Sequence, residues 1–118
     1  MKLILTLDDQ WVKQFVYSVL QNLPECSISL RCTSWDYATP TTIDRCRFKL
    51  LEEDDDGKLS AIHILTLKRA VRAFKTLVEE WTDKGTYQID TLLDAGNWDA
   101  PMVDSLVQVA VLGEEVYC

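Results

Sequence analysis

Residues 99–113 form a segment that leaves only one narrow stripe for polar side chains. Asp99 is a good N-cap, Pro101 is tolerated in a first helical turn, and Gly113 is a natural stop. Between them Asp104, Ser105 and Gln108 recur at helical spacing. Met102, Val103, Leu106, Val107, Val109, Ala110, Val111 and Leu112 take almost every other position. A helix apolar on nearly all sides must be covered by neighbours on several sides. The segment therefore predicts a central helix around which the rest of the domain packs.

The preceding chain divides into short elements of alternating type. Lys2–Leu7 is an apolar run of strand length. From Asp8, the residues Trp11, Val12, Phe15, Val16, Val19, Leu20 and Leu23 follow helical spacing, and Pro24 ends the pattern. The period then changes to two. Over Ser27–Asp36, Ile28, Leu30 and Cys32 face one way, while Ser29, Arg31, Thr33 and Trp35 face the other. Over Asp44–Glu52, Cys46, Phe48 and Leu50 face inward, with Arg45, Arg47 and Lys49 outward. Asp56-Gly57 marks a hairpin into a third alternating strand, from Lys58 to about Leu65. Thr66 caps a second long helix ending near Gly85, and Tyr87–Ala95 reads as a short helix or turn.

These elements predict one domain over residues 1–118, of α+β class. It is a small antiparallel β-sheet of 3–4 strands with helices packed on one face, in the order β-α-β-β-β-α-(α)-α. No apolar run approaches the ~20 residues that span a bilayer. Met1–Leu7 is too short for a signal-peptide core, which points to the cytoplasm.

Charge is unevenly placed. From Met1 to Val78 there are 11 Lys/Arg and 10 Asp/Glu, a net of +1, whereas residues 79–118 hold 9 acids and only Lys84, a net of −8. Such asymmetry bears on partners and not on fold. On the second long helix, Lys68, Arg69, Arg72 and Lys75 occupy the first turns and Glu79, Glu80 and Asp83 the last. That order opposes the helix dipole. Either neighbours compensate it or the acids are placed for a partner, and Glu79, Glu80, Asp83, Asp90 and Asp94 are the candidate partner-binding residues. The alternative site is a nucleic-acid face on the sheet, formed by Arg31, Trp35, Arg45, Arg47 and Lys49, with cations interleaved with an aromatic.

Other constellations favour structure over chemistry. Glu52–Gly57 imitates a calcium loop but has Glu52 at its first position and His63 at its twelfth, where a bidentate Glu is required, so it reads as a solvated hairpin tip. His63, the only histidine, has no partner by motif and reads as a packed strand residue. Cys26, Cys32, Cys46 and Cys118 lack zinc spacing and predict reduced thiols. With no nucleophile motif and no phosphate-cradling glycine loop, neither catalysis nor a cofactor nor a metal is expected.

One pattern carries a resemblance. Asn97, Trp98, Asp99, Ala100, Asp104, Leu106, Gln108, Gly113, Glu114 and Tyr117 spell N-W-D-A-x-x-x-D-x-L-x-Q-x-x-x-x-G-E-x-x-Y. This resembles the C-terminal segment of small proteins encoded by tailed bacteriophages and prophages, over roughly the last half of the chain. Residue 118 is Cys where those proteins tend to end in Gly. The resemblance implies a phage setting, a host-cytoplasm location and no particular chemistry. With the acidic C-terminal half, it leads to the expectation of an anti-CRISPR or anti-restriction inhibitor. Such a protein binds a basic, nucleic-acid-binding surface of a host protein, for instance a Cas effector. A nucleic-acid-binding accessory protein and a self-associating homo-oligomer are the alternatives.

Overall fold

The computed structural model describes residues 7–25, 29–39 and 41–117. Among these the elements run α1 (Asp9–Leu20), β1 (Arg31–Asp36), β2 (Arg47–Glu53), β3 (Leu59–Thr66), α2 (Leu67–Asp83), α3 (Ile89–Leu92) and α4 (Ala100–Leu112). Single 3-10 turns lie at Leu23–Glu25, Ile43–Arg45 and Ala95–Asn97. The strands form an antiparallel meander in the order β1-β2-β3. Phe48, Leu50 and Leu65 on one sheet face join the helices in a single core, while Lys49, Ile62 and Ile64 on the other face are exposed. The fold is α+β, as the sequence predicts. The predicted N-terminal strand lies outside the described residues except for Leu7.

Local chemistry accounts for most boundaries. Asp8 accepts from the Trp11 amide at 3.0 Å, Thr66 from Arg69 at 3.3 Å and Asp99 from Met102 at 3.0 Å, so all three predicted N-caps act as caps. The first helix stops at Leu20, before Pro24, which sits inside the following 3-10 turn. Gly85 (φ 71°) closes α2 in a Schellman arrangement, its amide donating to Thr82 and that of Thr86 to Trp81 at 2.8 Å.

Three expectations are corrected. First, the strand expected over Asp44–Glu52 begins only at Arg47. Ile43 and Cys46 are both buried, and burying positions three apart takes a helical turn, so Ile43–Arg45 coils before the period-two run of Phe48 and Leu50 begins. Second, the register shifts between Cys32 and Ser34, so Trp35 lies opposite Phe48 instead of on the outward face. Third, α4 is not enclosed on all sides. Met102, Val103, Leu106 and Val107 are buried against α2 and β3, but Val109, Ala110, Val111 and Leu112 are only half-buried. The helix that touches α1, α3, α4 and β3 is α2.

Candidate functional site

The predicted acidic site is built on the C-terminal end of α2. That helix is anchored by Ala70, Phe74, Leu77, Val78 and Trp81 on its buried face. The Trp81 ring meets Tyr87 at 5.0 Å and Trp98 at 5.7 Å, and the Trp98 indole N–H donates to the Leu92 carbonyl at 3.0 Å. These contacts fasten residues 87–98, with α3, to the end of α2. Glu80, Asp83, Asp90 and Asp94 are exposed on this end, and Glu79 is half-buried. Lys84 pairs with Glu80 at 2.7 Å, and the Glu80 carboxylate holds the lysine above its ordinary pKa. Asp94 also accepts from the Gly96 amide at 2.9 Å, a cap that uses its oxygen without removing its charge. Glu79, Glu80 and Asp83 thus end α2, and Asp90 and Asp94 lie on the segment fastened to that end, with Lys84 as the one cation nearby in sequence.

At the other end of α2 the dipole conflict is partly relieved. Lys75 reaches Asp9 in the first turn of α1 at 3.4 Å, and Lys13 of α1 reaches Asp44 at 3.3 Å. Of the α2 cations, Lys75 thus receives an acid from elsewhere in the fold, while Lys13 and Asp44 pair beside it.

The alternative set Arg31, Trp35, Arg45, Arg47 and Lys49 does not form one face. Arg45 sits in the 3-10 turn and not on a strand. The bulge places Trp35 on the Phe48 side of the sheet. Arg31 is bound to Glu53 at 2.8 Å. Lys49 lies opposite Ile64, and Ile62 and Leu59 are also exposed; a second shift, between Glu52 and Glu53, carries Leu59 to the outer side. The outer face is accordingly a mixed apolar and charged surface, not a basic aromatic platform.

A polar cluster that spacing did not disclose joins the hairpin to the C-terminal tail. Gln108, predicted on a polar stripe, is 2% exposed. Its side-chain oxygen accepts from the Val116 and Tyr117 amides at 2.8 and 2.7 Å, and its nitrogen donates to the Tyr117 carbonyl at 3.1 Å. The Tyr117 hydroxyl then donates to Glu52, whose other oxygen lies 2.9 Å from His63 Nε2. His63 therefore has a carboxylate partner after all. The Tyr117 hydroxyl, and secondarily His63, hold the Glu52 carboxyl below its ordinary pKa, and Glu52 in turn raises that of Tyr117. Two further acids of the hairpin are committed likewise: Glu53 to Arg31, and Asp54 to the Asp56 and Lys58 amides at 3.0 and 2.8 Å. The only signal in the sequence was the place of Gln108 and Tyr117 in the 97–117 pattern.

No family model, curated protein or solved structure matches this chain. The residues of the 97–117 pattern have clear work within the fold itself. Trp98 packs among Phe15, Phe74 and Trp81, and Asp99 caps α4. Asp104 binds the amide and hydroxyl of Ser29, Gln108 clamps the tail, and Gly113 adopts φ 85°. Among the described residues, no helix is long and apolar enough to cross a membrane.

Proposed function

We propose that this protein is a phage-encoded, non-catalytic inhibitor of a host nucleic-acid-targeting defence system, of anti-CRISPR or anti-restriction type. It acts by laying its acidic end on a basic, nucleic-acid-binding surface of a host protein. The supporting observation is that Glu79, Glu80 and Asp83 end α2 while Asp90 and Asp94 lie on the segment fastened to it, where Lys84 is the single cation nearby in sequence. Carboxylates held on a rigid end compete with phosphates for Lys/Arg grooves and steer the encounter. The phage setting rests on the sequence pattern of residues 97–117.

The test is capture from nuclease-treated host lysate on the immobilised protein. The expected result is a nucleic-acid-handling protein that elutes as salt rises, since the Debye length falls from ~10 Å at 0.1 M to ~3 Å at 1 M. Reversing Glu79, Glu80 and Asp83 to Lys puts cations where the helix dipole favours them, so the fold persists while capture and inhibition are lost. Capture unchanged by that reversal refutes the reading.

A further inference from the structure

At the opposite end of α2 the fold forms a groove that no sequence motif announced. It lies between α1, the turn Ile43–Arg45 and the first turns of α2, with a volume of about 720 Å³. Its walls carry five cations, Lys13, Arg47, Lys68, Arg72 and Lys75, against the carboxylates Asp9 and Asp44. We propose that this groove binds clustered phosphate groups, as a nucleoside triphosphate or a short single nucleic-acid strand presents them.

The side chains are arranged for that chemistry. Arg47 Nη1 donates to the Asp44 carbonyl at 3.1 Å and the Cys46 carbonyl at 2.8 Å, which fixes the plane of its guanidinium at the groove wall. A guanidinium already held in place loses little entropy when it meets a phosphate. Lys68 and Arg72 are exposed and have no side-chain partner among the described residues. The two carboxylates are engaged only by single contacts, Lys75–Asp9 at 3.4 Å and Lys13–Asp44 at 3.3 Å. Asp9 and Asp44 are largely exposed, so both pairs are weak and their lysines can turn to a stronger anion. The excess over the carboxylates is three positive charges, matched to a few phosphates. Half-buried Val71 supplies an apolar contact for the remainder of the ligand, and the volume lies in the range of small-molecule sites.

The groove is independent of the acidic end. From Lys68 to Glu80 the axis of α2 rises by roughly 18 Å, beyond the ~8 Å Debye length at physiological salt. The experiment is calorimetric titration of the full chain at low salt with sodium triphosphate and with ATP, together with anisotropy of a labelled oligothymidylate. Saturable binding that weakens with salt is the expected result. ATP binding more tightly than the oligonucleotide identifies a nucleotide site, and affinity growing with oligonucleotide length identifies a strand site. Lys68→Glu with Arg72→Glu should lower affinity on the order of tenfold or more. The same change places acids in the first turns of α2, where the dipole favours them, so an unchanged melt separates lost binding from lost folding. Lys49→Glu on the sheet should leave binding intact. The proposal is overturned if none of the three probes binds, if the α2 double variant binds like the parent, or if the sheet variant is the one that loses binding.

Discussion

Replacing Gln108 by Leu should free the C-terminal tail while leaving the domain folded. The side chain is buried, and all three of its bonds go to the backbone of Val116 and Tyr117. At about 1 kcal/mol net each they contribute ~3 kcal/mol, and the exposed Tyr117–Glu52 bond adds a smaller amount. Against this, ordering the backbone of those two residues costs ~2–4 kcal/mol. The balance leaves the tail docked by a small margin, so losing ~3 kcal/mol releases it. The same balance caps the global cost, because a detached tail has nothing further to lose. Its freed amides hydrate, since Val116 and Tyr117 are already exposed, and Leu is of similar volume inside α4. Global stability should therefore fall by less than the ~3 kcal/mol of the three lost bonds. Hydrogen exchange reads the outcome directly: the Val116 and Tyr117 amides lose protection while those of Leu106 and Val107 keep it. Retained protection at Val116 and Tyr117, or loss of protection throughout α4, would refute the reasoning.

Three further outcomes are expected. Tail docking has a pH window. The lowered Glu52 pKa contributes stability that is present above about 4.5 and lost as pH falls through the depressed value. The raised Tyr117 pKa contributes stability present below about 10 and lost as pH rises through it, and Tyr117→Phe should remove both limbs from a pH series of hydrogen exchange. Val107→Asp should prevent folding, because Val107 is fully buried and an unpaired charge there costs several kcal/mol against a total of ~5–15; an unchanged melt would contradict this. Burial pushes the Cys32 and Cys46 thiols up, so both should react slowly with a thiol reagent until denaturant is added, and reductant should not move the melt. A clear drop on reduction, equivalent to losing a ~2–4 kcal/mol cross-link, would show a disulfide instead.

What the sequence disclosed follows from the range of the interactions involved. The caps at Asp8, Thr66 and Asp99, the Asp56-Gly57 hairpin and the Gly85 and Gly113 stops are set within four or five residues, and all lie where local chemistry puts them. The bulge at Cys32/Ser34 left no local mark, because strand pairing imposes it, and it moved Trp35 off the basic face. Ile43 and Cys46 show the same competition: a period-two reading extended back to Asp44 overlooked a pair three apart that only a helical turn can bury together. Gln108 was misjudged because the tail that covers it returns from eight and nine residues away. The acidic end was legible because its residues are contiguous in the chain. The cationic groove was not, because its five cations come from three separate segments.

The charge order of α2 ties these surfaces together. Cations at its start and acids at its end each cost ~0.3–1 kcal/mol against the dipole when unscreened. Lys75 recovers part of this by reaching Asp9 on α1, and Glu80 by reaching Lys84. Neither pair removes the excess, since Lys68 and Arg72 stand exposed at one end and Asp90 and Asp94 beyond the other. The apolar face from Leu67 to Trp81 is locked into the core, so the helix cannot rotate or slide to pair its own ends. Roughly 18 Å of axis, against a Debye length of ~8 Å, keeps the two excesses from cancelling through solvent. A rigid helix with opposite charges at its ends therefore presents two surfaces that bind independently. Charge reversal at one should leave the salt dependence of the other unchanged.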